Sequence, residues 1–197
     1  MPATHEWAEA TLALSREQLF PYWLAVGRIT RGWALANHGQ GAEGIEEIRQ
    51  GLAAYQATGA ELGRPWFLAL LAEAYGKAGR AEEGLHVVAE GLAAAANTGE
   101  GFFEAEQYRL QGELLLARSV EKQTVAESCF HQALDSARRQ QAKWLELRTA
   151  VSLSRLWQQQ GKRVEARALL APIYGWFTEG FDTVDIQEAK VLLETLA

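Results

Sequence analysis

The 197-residue sequence predicts an all-α chain, a right-handed superhelical solenoid of helix-turn-helix units with a capping helix at its C-terminal end. Three observations carry this expectation. Two stretches forty residues apart coincide: Gly39, Gly44, Gly51, Leu52, Ala53, Ala54, Thr58 and Gly59 fall on Gly79, Gly84, Gly91, Leu92, Ala93, Ala94, Thr98 and Gly99. A fixed period of this size is the mark of stacked repeats. Alanine, leucine, glutamate, glutamine and arginine dominate and there are only four prolines, a helical vocabulary. Small and large residues also recur at matching levels from one unit to the next.

Taken in order, residues 3–14 form a short amphipathic helix that maps, forty residues on, onto the second helix of a unit. It reads as the second helix of a truncated repeat and is expected to offer Leu12 and its neighbours to a first helix outside this sequence. Repeats follow at 18–59, 60–99, 100–142 and 143–180, with a capping helix at 181–197, all in one domain spanning 1–197. Pro21 suits the first turn of a helix, where its missing N–H costs nothing. That helix runs to His38, where Gly39 ends it in the left-handed position. The next helices are expected at 42–57, 61–78, 81–97, 101–117, 124–140, 143–160, 163–178 and 183–196. The inner turn of the third repeat, Arg118 to Gln123, is two residues longer than its counterparts, and Thr124-Val-Ala-Glu127 has the form of a capping box. Pro172 should kink the helix that contains it. The last helix, capped by Asp182 or Thr183, carries one apolar stripe of Ile186, Ala189, Leu193 and Leu196.

The recurring levels are specific. First helices place Gly32, Ala72, Gly112 and Ser154 at one level, with Leu35, Tyr75, Leu115 and Trp157 three residues on. Second helices place Gly44, Gly84, Ala126 and Ala166 at one level, with Ile48, Val88, Phe130 and Leu170 four on. Small residues let two helix axes approach, and large ones fill the space beside them. This pattern resembles the tetratricopeptide repeat (TPR), most closely in Ala72-Glu-Ala-Tyr-Gly-Lys-Ala-Gly79. The forty-residue unit is similar to the variant found in large bacterial signal-transduction ATPases and maltose-regulator-type activators. Tyr108-Arg-Leu-Gln-Gly-Glu-Leu-Leu-Leu116 and Gly180-Phe-Asp-Thr-Val-Asp-Ile-Gln-Glu-Ala-Lys190 resemble the C-terminal repeat region of bacterial proteins that join a class III adenylate/guanylate cyclase domain to an AAA-type ATPase. Neither catalytic part is represented, so neither activity carries over.

Composition excludes several classes. A formal net charge of −6 argues against general nucleic-acid binding. The charge is uneven: residues 138–167 hold eight basic and two acidic side chains between two acidic stretches. They read as solvated helix faces, with an anionic partner as the alternative. The start shows no basic segment followed by an apolar core, and no long uncharged apolar run exists, so neither a signal peptide nor a membrane span is expected. The lone Cys129 rules out an internal disulfide and suits a reducing cytosol, so a cytoplasmic location is expected.

No motif points to chemistry. Gly39-Gln-Gly41-Ala-Glu-Gly44 is a literal GxGxxG, but a helix precedes it where the dinucleotide fingerprint needs a strand. His5, His38, His86 and His131 are scattered, so no metal site and no cofactor are expected. Cys129 lies within a second helix and reads as a buried thiol. Glu46-Glu47 and Glu82-Glu83 read as solvated or paired along their helices. The bulky pairs Tyr22-Trp23, Trp66-Phe67, Phe102-Phe103 and Trp144-Leu145 open successive first helices and should pack each unit onto the one before, an aromatic ligand cage being the alternative.

What remains is a non-catalytic interaction and regulatory module. The TPR resemblance implies that first helices line a concave groove. It places Val26, Ile29, Trp33 and Asn37 there, then Trp66, Ala69, Glu73 and Lys77, then Glu106, Arg109 and Glu113, then Arg148, Val151, Arg155 and Gln159. The candidate partner-binding residues among these are Trp33, Asn37, Trp66, Glu73, Lys77, Glu106, Arg109, Glu113, Arg148, Arg155 and Gln159. A tryptophan-bearing end and an arginine-bearing end suit a protein or peptide with a hydrophobic part and an acidic part. The alternative is a small-ligand or peptide sensor whose groove regulates an attached ATPase or cyclase. The N-terminal edge is expected either to fray or to form a two-fold homodimer.

Overall fold

In the computed structural model, which describes residues 2–197, the described residues form ten α-helices and one 3-10 turn, with no strand. The chain divides into two compact units, Met1–Phe103 and Glu104–Ala197. The first holds α1 (Pro2–Glu17), α2 (Pro21–Asn37), α3 (Gly41–Ala57), α4 (Arg64–Lys77) and α5 (Ala81–Thr98). The second holds α6 (Glu104–Arg118), the 3-10 turn (Val120–Lys122), α7 (Gln123–Arg139), α8 (Lys143–Gln159), α9 (Arg163–Tyr174) and α10 (Val184–Thr195).

In the first unit α2 packs on α3 and α4 on α5, and the first helices α2 and α4 lie side by side. The small level does what the repeat requires. A Cβ added to Gly32 would sit 2.6 Å from the Gly44 carbonyl oxygen, and one added to Gly44 would collide with the carbonyl of Gly32. Backbone meets backbone at this crossing, so nothing larger than glycine fits. Ile29, Ile48, Tyr55 and Leu68 fill the space around it. Chains of aromatic contacts add to this core. Tyr55 lies 5.5 Å from Tyr22 and 5.0 Å from Phe67, and Trp66 stacks on Phe103 at 5.7 Å with the rings 19° from parallel. Phe67 thus packs α4 onto α3, as the bulky-pair reading expects, while Trp23 and Phe102 stay exposed.

The expectation for Leu12 is wrong. Its side chain is completely buried and lies where a Cβ on Gly27 would touch it at 3.1 Å. Helix α1 packs onto α2 of the following repeat, and Leu12 belongs to that contact. Among the described residues of α1, the large apolar side chains left exposed are Trp7 and Leu14.

In the second unit α6 packs on α7 and α8 on α9, and α10 lies against both α8 and α9. Phe130, Leu134, Leu147, Leu153 and Leu170 form the core with Ile186, Ala189, Leu192 and Leu196 of α10 and its end. Leu193, expected in the apolar stripe of α10, is partly buried beside it. At the small level the Ser154 hydroxyl donates to the Ala166 carbonyl at 3.1 Å, and Gly112 leaves room for the Phe130 ring. Arg163 and Arg167 of α9 donate to the carbonyls of Thr195 and Leu193, satisfying the last turn of α10 with cations at its negative end.

Several boundaries differ from expectation. Helix α4 begins at Arg64 rather than 61, because Leu62-Gly63 form a turn with Gly63 at φ 84°. Helix α9 ends at Tyr174, two residues after Pro172, rather than at 178. The capping box does not form. Helix α7 starts at Gln123 without a side-chain cap, and Ser119 instead accepts from the Glu121 amide at 3.2 Å to start the 3-10 turn. Thr183 is the N-cap residue of α10, yet its hydroxyl donates to the Gly180 carbonyl at 2.7 Å instead of capping the helix.

Five turns close in the same way, with the amide after a left-handed residue bonded to a carbonyl five residues back. These bonds are Phe20 to Ser15, Gln40 to Leu35, Arg80 to Tyr75, Ala142 to Ala137 and Lys162 to Trp157. The left-handed residue is Gly39, Gly79 or Gly161 at three of them, but Leu19 and Gln141 at the others.

Candidate partner-binding faces

On the first unit, four of the residues named from the repeat form one hydrogen-bonded ring across α2 and α4. The Trp33 indole N–H donates to Glu73 Oε2 at 2.9 Å. Lys77 Nζ lies 3.0 Å from Glu73 Oε1 and donates to Asn37 Oδ1. Asn37 Nδ2 closes the ring by donating to the Trp33 carbonyl at 2.8 Å. Equivalent positions forty residues apart put these side chains on neighbouring helices, which is why the repeat period finds them. Trp66 lies earlier on α4, stacked on Phe103. Ile29 and Ala69, read as groove-lining, are core residues, buried at 0% and 2% exposure.

On the second unit the named residues form a charge network along α6, α8 and α10. Arg109 donates to both oxygens of Glu106, Nε at 2.9 Å and Nη2 at 2.7 Å, and Arg148 reaches Glu106 at 3.1 Å. Ser152 donates to Glu113 at 2.6 Å and accepts from Arg109 at 3.4 Å. Arg155 pairs with Glu188 at 3.0 Å. Glu106, Arg109 and Val151 are buried, whereas Arg155 and Gln159 are exposed. The cavity on this face, lined in part by Arg148, Arg155, Asp185 and Glu188, has a volume of about 50 Å³.

Sequence reasoning missed Ser152, Asp185 and Glu188. Asp185 accepts from the Trp144 indole at 2.7 Å, while the Arg148 guanidinium lies 5.0 Å from the centre of the Trp144 ring. A signal for this pair exists in the sequence: Trp144 and Asp185 are 41 apart, almost the repeat spacing that separates Trp33 from Glu73.

The cations of the basic stretch 138–167 find their partners within the second unit. Arg138 and Lys143 pair with Glu146, Arg139 with Glu104, Arg148 with Glu106, Arg155 with Glu188 and Lys162 with Glu127, while Arg163 and Arg167 hold α10. Glu146 is only 5% exposed. Burial pushes its carboxyl up, but hydrogen bonds from Lys143 and Arg138 outweigh this and hold it below its ordinary value. Cys129 is buried, its thiol 3.4 Å from Gln111 Oε1 and pushed up by burial. The GxGxxG glycines serve the repeat: Gly39 ends α2, Gly41 opens α3 and Gly44 packs on Gly32. Among the described residues no group of three His, Cys, Asp or Glu side chains is placed to hold a metal ion, and no helix is long and apolar enough to cross a membrane.

The sequence matches no family model and no curated protein. Solved structures do resemble the fold. One is the crystal structure of a kinesin light chain-like protein of Podosopora anserina with nearly identical TPR-like repeats. It has a TM-score of 0.64 at 19% identity, over 89% of this chain and 86% of that one. A singly substituted form of the same protein has a TM-score of 0.63 at 19% identity, over 89% and 93%. The chain therefore has the all-helical TPR-like repeat fold.

Proposed function

We propose that this chain is a non-catalytic docking and regulatory module that holds an extended or helical peptide of a protein partner on its first-helix faces. The observation that carries this reading is the ring of Trp33, Glu73, Lys77 and Asn37. It joins two successive first helices into one amphipathic surface beside stacked Trp66, with the long Lys77 side chain at its rim. Peptide recognition of this kind combines apolar anchors with a few fixed polar groups. The small cavity on the first-helix face of the second unit favours docking over metabolite sensing there. Its volume of about 50 Å³ falls short of the roughly 300–1,000 Å³ that small-molecule sites occupy. The setting implied by the sequence resemblance, a bacterial signal-transduction protein working in the cytoplasm, belongs to this reading.

The test is quantitative capture by the full chain and its variants. Lys77→Glu and Trp66→Ala should each lose the partner that the parent chain retains. Arg49→Glu, on the exposed side of the second helix α3, should retain it. Equal retention by all three variants would overturn the assignment of the face.

A further inference from the structure

The second unit has a larger cavity away from its charge network, at the turn from α7 to α8. It measures about 490 Å³ and is lined by Arg138, Gln141, Lys143, Glu146 and Trp176. We propose that it binds a small aromatic oxyanion, a ring bearing a phosphate or carboxylate, with the ring against Trp176 and the anion on Arg138 and Lys143.

Four observations carry this. The cavity falls within the size range of small-molecule sites. Its charge is positive although it contains an acid. Arg138 Nε donates to one oxygen of Glu146 at 2.9 Å and Lys143 Nζ to the other at 2.7 Å. Two cations thus share one carboxylate whose oxygens are both engaged. The Nη groups of Arg138 make no hydrogen bond among the described residues, which leaves a planar pair of donors for an oxyanion. Glu146, buried and held between the two cations, fixes them instead of cancelling both.

The aromatic element is independent of the charge. Trp176 is 58% exposed although it follows closely on α9, and Phe177 meets it edge to face at 5.3 Å. Phe177 is packed against the core of the unit, so the indole is braced from beneath and still open to solvent. An exposed indole beside a guanidinium and an ammonium presents a stacking surface and a positive charge to the same ligand.

The fourth observation is the backbone. At three of the five turns of this type the left-handed residue is glycine, but here it is Gln141, at φ 56°. A side chain in that conformation is strained, and such strain concentrates at binding sites. Gln141 brings an amide to the cavity, a donor and an acceptor that glycine lacks.

The experiment uses the full chain titrated with phenyl phosphate, benzoate and the uncharged benzyl alcohol, read by calorimetry and by the indole N–H resonance of Trp176. Phenyl phosphate or benzoate should bind saturably and shift that resonance, and which one binds more tightly identifies the oxyanion. Arg138→Gln and Trp176→Ala should each weaken binding about tenfold, the loss expected for one charge-assisted hydrogen bond or one stacking surface. Because Trp176 is exposed, its replacement should leave the thermal midpoint in place, which separates lost binding from lost folding. No saturable binding of either anion would overturn the proposal. Equal binding of benzyl alcohol, or affinities unchanged in both variants, would do the same.

Discussion

The two units solve one packing problem with different materials. The first brings its helices together through bare backbone, Gly32 against Gly44, and surrounds the crossing with aromatic rings centred on Tyr55. The second puts Ser154 against Ala166 and Phe130 over Gly112, and ties α8 to α6 and to α10 with arginine–carboxylate pairs. The contrast teaches that a TPR-like level needs only small volume. Backbone contact, a hydroxyl bonded to a carbonyl and a phenyl ring over glycine all satisfy it. They fail under different insults, and that makes the comparison testable.

The largest effect is expected from emptying the second unit's core. Phe130 is fully buried, and Phe130→Ala should cost about 3–5 kcal/mol in urea unfolding. A loss under about 1 kcal/mol would show that the ring is not what fills the space over Gly112. Next is the first unit's crossing. Gly44→Leu has backbone in its way instead of a movable side chain, so the loss should lie at or above the upper end of the usual range of about 1–3 kcal/mol for overpacking. An unchanged midpoint would mean that α2 and α3 can separate freely.

A pH titration divides the units without mutation. The Glu146 carboxyl titrates below its unfolded value, so its contribution is present above the ordinary carboxylate range and is lost as pH falls through the lowered value. Acid should therefore weaken the second unit through this group. Tyr55, buried and beside Tyr22, is pushed from 10.0 up to about 12. Its contribution is complete below pH 10 and is lost as pH rises from 10 towards about 12, so alkali should weaken the first unit. Hydrogen exchange resolved by residue checks both, and the opposite assignment would break the comparison. The smallest effect is at the turns. Gln141→Gly relieves a left-handed side chain, worth roughly 1–2 kcal/mol, but loosens the unfolded chain by roughly 0.4–1 kcal/mol. A net gain of about 0.5–1 kcal/mol in a thermal melt is expected, whereas a loss would show that the Gln141 side chain makes contacts that outweigh the strain.

How much of this is legible in the sequence follows from what a period can encode. The forty-residue offset locates the ten helices and the Gly32–Gly44 crossing, because glycine recurring at one level of a repeat marks a close approach of two backbones. It also finds Trp33, Asn37, Glu73 and Lys77, because equal positions in successive repeats become neighbours. It fails where one residue's fate depends on a particular neighbour. The period places Leu12 on an open edge because it carries no trace of the contact that α1 makes with α2 of the following repeat. Thr124 and Glu127 have capping spacing, but the 3-10 turn starts α7 one residue early and Glu127 accepts from the Trp157 indole at 2.7 Å instead. The basic run reads as uncompensated only while its acidic partners, scattered from Glu104 to Glu188, are out of view; the fold brings them beside it.

One buried atom gives the second unit a clock. Cys129 is the chain's single cysteine, and its sulfur is covered where α7 meets Gln111 of α6. With its proton held more tightly than usual, the sulfur is a poor nucleophile while the unit is closed. At concentrations of an alkylating reagent where alkylation outpaces reclosing, the thiol should therefore react at the rate at which α6 and α7 part. Mixing the native chain with such a reagent times the breathing of this helix pair directly, with no label introduced and no residue changed.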